Sequence, residues 1–166
     1  MKLTGRVCCF IVGAEKLKDD GTAFAQTALK EELRRLIIEE NIRHFLCGMT
    51  PGELTAAAAV LELKAQYPAI TLDCVLPYEK QAARWKEALR EVYFNILADC
   101  DSTVTMQTYY DRKCIAAHRK YILANAQHAL FLGGGRSTAL MEKHLAKLGI
   151  AYNRIPMREM KKEAVS

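Results

Sequence analysis

Three runs of the chain carry the residue types that hold a phosphate or the polar edge of a ligand. Gly133-Gly134-Gly135-Arg136-Ser137-Thr138 sets three successive glycines before a guanidinium and two hydroxyls. Consecutive glycines expose backbone N–H groups in a flexible cradle, and Arg, Ser and Thr side chains all donate to phosphate oxygens. The competing reading is a plain flexible turn. The run has neither the Gly-Lys-Ser/Thr ending of a Walker motif nor the Gly-x-Gly-x-x-Gly spacing of a dinucleotide site. Gly48-Met49-Thr50-Pro51-Gly52-Glu53 is the second run: two glycines and a proline bend the chain, and Thr50 suits the cap of a following helix. Free amides at such a helix start favour an anion or a polar ligand edge. Glu53 either complements the helix dipole or touches the ligand. The third run is Val12-Gly13-Ala14-Glu15-Lys16, where Gly13 permits a tight turn or a close backbone approach.

Aromatic residues stand between these runs. Tyr78, after Pro77, and Tyr109 or Tyr110 offer faces on which a base can stack, whereas Trp85 and Tyr93 read as packing residues. His118-Arg119-Lys120 falls on the helix before the triple glycine. His44, His128 and His144 have no partner pattern. No Ser-His-Asp or Cys-His arrangement is legible, and the cysteines at 8, 9, 47, 74, 100 and 114 show no metal-ligand spacing. Their apolar contexts make them reduced core residues in a reducing, cytoplasmic compartment, with no metal.

The elements that position these residues follow from periodicity. Short, mostly apolar runs at Val7–Val12, Arg43–Cys47, Ile70–Leu76, Ser102–Met106, Ala129–Leu132 and Ala151–Ile155 read as strands, the last as an edge. Between them helices are expected over Thr22–Glu40, Gly52–Gln66, Lys80–Ala98, Arg112–Ala124 and Thr138–Leu148. Such alternation with short links predicts a single α/β domain: a Rossmann-like, doubly wound, mostly parallel sheet flanked by helices. Ligands in such sheets bind beyond the carboxyl ends of the strands, where all three glycine runs fall.

Bulk properties narrow the classes. The chain has 166 residues, enough for one domain, with 51% apolar and 26% charged residues. No apolar run reaches the roughly 18–20 residues of a membrane helix. The domain is assigned to residues 1–157, leaving a basic tail over 158–166. A net charge of +5 is dispersed among acids and argues for neither nucleic acid nor a membrane surface.

Gly48…Gly52-Glu53, Glu62-Leu63-Lys64…Tyr67-Pro68, Pro77-Tyr78…Gln81…Trp85 and Arg119-Lys120…Gly134-Gly135-Arg136-Ser137-Thr138 follow one another in an order that resembles one family. It is the YpsA-like branch of the SLOG superfamily, which also holds the DNA-processing protein DprA and the LOG phosphoribohydrolases. The resemblance spans nearly the whole chain. It implies a Rossmann-like fold and a nucleotide-related ligand (ADP-ribose-like or a nucleoside phosphate) held by the loops after the strands. It also implies self-association, commonly as a dimer. The ligand residues it points to are Gly13, Gly48, Met49, Thr50, Gly52, Glu53, Pro77, Tyr78, Tyr109, Arg119 and the run Gly133 to Thr138.

Departures from the family pattern bear on activity. Relatives usually carry Thr-Gly-His-Arg where this chain has Val12-Gly13-Ala14-Glu15, and tend to place glycine where Pro51 stands. The LOG enzymes follow Pro-Gly-Gly-x-Gly-Thr with a glutamate three positions on. Here that position is Met141, and Glu142 is turned about 100° around the helix. The reading is therefore a binding or sensor module. The alternative is a nucleoside-monophosphate phosphoribohydrolase using Glu53, Arg119 and Glu142. A single-strand DNA binder using Tyr109-Tyr110 with Arg112-Lys113 ranks third.

Overall fold

The computed structural model describes residues 5–12, 22–133 and 136–155, the side chains of 22–25 and 136–137 excepted. Gly13, Gly134, Gly135 and the basic tail lie outside these residues. Six strands form one sheet: β1 (Arg6–Val12), β2 (Ile42–Cys47), β3 (Thr71–Leu76), β4 (Ser102–Thr105), β5 (His128–Leu132) and β6 (Ala151–Ile155). Every pair is parallel, in the order β4-β3-β2-β1-β5-β6. The helices between them are α1 (Thr22–Glu39), α2 (Leu54–Leu63), α3 (Glu87–Asp99), α4 (Cys114–Ala124) and α5 (Arg136–Leu148).

The chain steps outward from β1 to β4, then returns through α4 to lay β5 on the other side of β1. That return reverses the winding, so the sheet is covered on both faces. Alternate residues of β1 divide between them: Cys8 and Phe10 pack with Leu29, Leu33 and Leu36 of α1, Val60 of α2 and Tyr93 of α3. Val7 and Cys9 pack on the opposite face with Ile122 and Leu123 of α4 and Leu145 of α5. Burial on both faces explains why β1 and β5 read as continuous apolar runs rather than alternating ones. β6 is an edge strand, as its position in the sequence suggests, and β4 is the other edge.

The expected Rossmann-like, doubly wound α/β architecture is therefore the observed one. Several element bounds differ. The helix expected from Lys80 starts at Glu87: Glu79 N–H donates to the Gln107 carbonyl and Lys80 N–H to that of Thr108, and the segment continues in i→i+3 turns, Gln81 N–H to Tyr78, Ala83 N–H to Lys80 and Trp85 N–H to Ala82. The helix expected from Gly52 opens with a 3-10 turn over Pro51–Glu53 before becoming α-helical at Leu54. The helix expected from Arg112 starts at Cys114, after the Asp111 carboxylate accepts the Lys113 N–H at 2.9 Å.

Candidate functional site

The order β2-β1-β5 makes the carboxyl end of β1 the switch point of the sheet, since the connections leave in opposite directions on its two sides. A cleft of about 140 Å³ opens there. Its floor is the last turn of β1, Cys9 to Val12; Thr50 and Glu53 stand on one side and α4 on the other. Helix α4 presents Ile115, His118, Arg119 and Ile122 to it, one helical stripe at spacings of three and four residues. Met141 of α5 completes the rim.

The loop after β2 is built around Glu53. This side chain is only 5% exposed. Its carboxylate accepts the Gly48 N–H at 2.9 Å, the Thr50 N–H at 3.2 Å and the Thr50 hydroxyl at 2.7 Å. Burial pushes the Glu53 carboxyl above its ordinary range, against the pull of those hydrogen bonds and of His118. Gly48 is forced by space: a Cβ there would stand 2.8 Å from both Glu53 Oε2 and His118 Cε1. The same atoms therefore place the acid and the imidazole edge on either side of one glycine. At Gly52 a Cβ would stand 2.8 Å from Val12 Cγ1, so its absence lets the loop lie against β1.

Met49, fully buried, holds a left-handed backbone with φ of 58°. A non-glycine residue pays for that conformation unless its surroundings fix it. Here the Gln81 side-chain amide donates to the Met49 carbonyl at 3.1 Å. His118 is equally well held. Its Nε2 donates to the Val75 carbonyl at 2.7 Å, which fixes the orientation of the ring. Cys9, on the cleft floor, is an inert thiol, its pKa pushed up to about 12 by burial.

Of the residues singled out in the sequence, Thr50, Glu53 and Arg119 line the cleft, and Gly48, Met49 and Gly52 shape the loop that frames it. Pro77, Tyr78, Tyr109, Gly133, Thr138 and Glu142 are not among its lining residues. Tyr78 packs edge-to-face on Tyr110 at 5.6 Å, and Tyr109 is 70% exposed. Gly133 ends β5 with φ of 84°. Thr138 is buried and accepts a hydrogen bond from Arg154, which also pairs with Glu142. The side chains of Arg136 and Ser137 are outside the described set. Sequence reasoning passed over His118, Ile115, Ile122 and Met141 as site residues. The stripe at 115, 118, 119 and 122 was the available signal.

A family model described as the YspA SLOG family (YpsA) matches residues 10–142, from β1 into α5. The chain belongs to this SLOG family. The match takes in both the Gly48–Glu53 loop and the Gly133–Thr138 loop. Among similar proteins, a UPF0398 protein of Brevibacillus brevis is 32% identical over 117 residues, covering 69% of this chain and 62% of its own length. One from Listeria monocytogenes serotype 4b is 31% identical over 125 residues, 74% of this chain and 68% of that protein. A third, from Bacillus pumilus, is 30% identical over 102 residues, 60% of this chain and 55% of its own length. The matched region thus spans between about half and two thirds of these relatives' own length.

Proposed function

We propose that the cleft binds part of a nucleotide or nucleotide-derived ligand, ADP-ribose-like or a nucleoside phosphate, and that the protein is a cytoplasmic sensor or regulatory module. The carrying observation is the placement of Thr50, Glu53 and Arg119 around one cleft at the switch point of a parallel sheet. Arg119 is exposed at the rim and supplies the cation for a phosphate. A whole nucleotide-sized ligand fills a pocket of roughly 300 Å³ or more. The cleft takes one portion of it, and the Gly133–Thr138 loop that follows β5 next to β1 is the proposed holder of the phosphates.

Family membership supports a nucleotide-related role, and the site's own chemistry favours binding over turnover. The Glu53 carboxylate is occupied by three donors of its own loop, and Glu142 is paired with Arg154. Titration calorimetry against ADP-ribose, NAD and nucleoside mono- and diphosphates tests the proposal. Wild type is expected to bind a member of the panel, and Arg119→Ala to bind it at least tenfold more weakly. No binding by the whole panel overturns the reading.

One observation keeps the phosphoribohydrolase alternative in view: a buried carboxyl with a raised pKa beside a histidine is a usable general acid. Release of free base from nucleoside monophosphates, lost in Glu53→Gln, would establish it in place of the binding module.

A further inference from the structure

Cys74 and Cys100 meet at a corner of the fold away from the cleft lining. Cys74, in β3, is buried, with Cys47 of β2 and Thr103 of β4 as its register neighbours. Cys100 follows α3 and is half-buried; the other five cysteines are buried. Its thiol lies 3.3 Å from Thr103 Oγ1, 3.2 Å from the Leu97 carbonyl and 3.4 Å from that of Ser102. Thr103, which it touches, is the register partner of Cys74 in the neighbouring strand, and Cys100 packs against the buried cluster that contains Cys74. One cysteine of this pair is partly open to solvent, the other is buried, and both stand beside Thr103. Among the described residues no three His, Cys, Asp or Glu side chains are placed to hold a metal ion, so this is not a metal corner.

We propose that Cys74 and Cys100 form an oxidisable dithiol that closes to a disulfide with hydrogen peroxide as the oxidant. The Cys100 thiolate attacks a peroxide oxygen, the O–O bond breaks, and the departing hydroxide takes up the thiol's proton as water. Cys100 is then a sulfenic acid. The Cys74 sulfur attacks the Cys100 sulfur, the S–O bond breaks, and the hydroxyl leaves as a second water with the Cys74 proton. Two electrons pass from the two sulfurs to the peroxide. Burial and the adjacent Cys100 hold the Cys74 thiol above its ordinary pKa, so the second step quickens as pH rises. Closure ties the end of α3 to β3 and rings off residues 74–100.

The test uses the full chain. After peroxide treatment, free thiols are alkylated and the digest is mapped by mass spectrometry. The expected result is a Cys74–Cys100 linked peptide, a loss of two alkylatable thiols, and recovery of both with dithiothreitol. Cys47→Ala should keep the linked peptide, and Cys100→Ser should abolish it. A linked peptide joining any other pair overturns the proposal. So does Cys100 recovered as sulfinic acid with Cys74 still alkylatable.

Discussion

A Cβ at position 48 would stand 2.8 Å from Glu53 Oε2 and from His118 Cε1 alike, and neither group is free to retreat. Glu53 is held by three hydrogen bonds from residues 48 and 50, and His118 by the Val75 carbonyl. Gly48→Ala should therefore destabilise the protein by about 1–3 kcal/mol, the usual cost of overpacking a filled interior. Urea unfolding reads it, and an unchanged midpoint would show that the loop has slack. Glu53 makes a second prediction, with a definite sign. Its carboxyl titrates above the ordinary 4.5 in the folded chain. Between the unfolded and folded values the native state binds more protons than the unfolded state. The stability that Glu53 contributes is thus full below pH 4.5 and declines as pH rises through the raised folded value. The gap in unfolding free energy between wild type and Glu53→Gln should narrow across that window. A gap that widens with pH would mean the three hydrogen bonds outweigh burial.

Elements were legible in the sequence wherever a local pattern decided them. The short apolar runs of β1, β2, β3 and β5 and the bend at Gly48, Pro51 and Gly52 before α2 needed no partner to be recognised. The start of α3 was not legible, because residues 79–86 carry no helix breaker; their chain is drawn to Gln107 and Thr108, far along the sequence, at Glu79 and Lys80 and then runs through i→i+3 turns at Gln81, Ala83 and Trp85. For the same reason, Gln81 gave no sign that its amide would fix a left-handed Met49. Among the candidate site residues, Thr50 and Glu53 were legible from loop chemistry and Arg119 from the family pattern. His118 was passed over because its role depends on β3, whose Val75 carbonyl orients the ring. The joint between α1 and β2 offers a test at this scale. Asn41 there has φ of 55°, and its carbonyl accepts the Arg6 N–H at 3.1 Å. Asparagine tolerates the left-handed region better than other non-glycine residues. Asn41→Ala should cost about 1 kcal/mol, and Asn41→Gly should match or slightly exceed wild type. Thermal melts of the two variants check the order, and equal losses in both would assign the effect to the asparagine side chain instead.

Across the whole molecule, the strand order decides both where the cleft lies and which parts open first. β1, β2 and β5 lie between other strands and under helices on both faces, and nearly every residue of β5 is sealed. β4 is an edge of four residues, Ser102 to Thr105, all exposed, and among the described strands it pairs with β3 alone. Local opening follows such differences in packing, from near zero at loose edges to the global value in the core. Native-state hydrogen exchange should therefore rank β4 amides as the least protected of the strands, and those of β1 and β5 as the most. The cleft adds a second layer to this ranking. Its walls are the Gly48–Glu53 loop and α4, which meet at Gly48 and neither of which is a strand of the central sheet, so a ligand that bridges them acts on segments outside the strands. Mass action stabilises only the states that retain the site: at a hundredfold excess over Kd the gain is about 2.7 kcal/mol. A bound nucleotide-type ligand should slow exchange in residues 48–53 and in α4 while leaving β4 unchanged. Protection that appears in β4 with none in α4 would place the ligand at the open edge of the sheet and remove the switch-point cleft as its site.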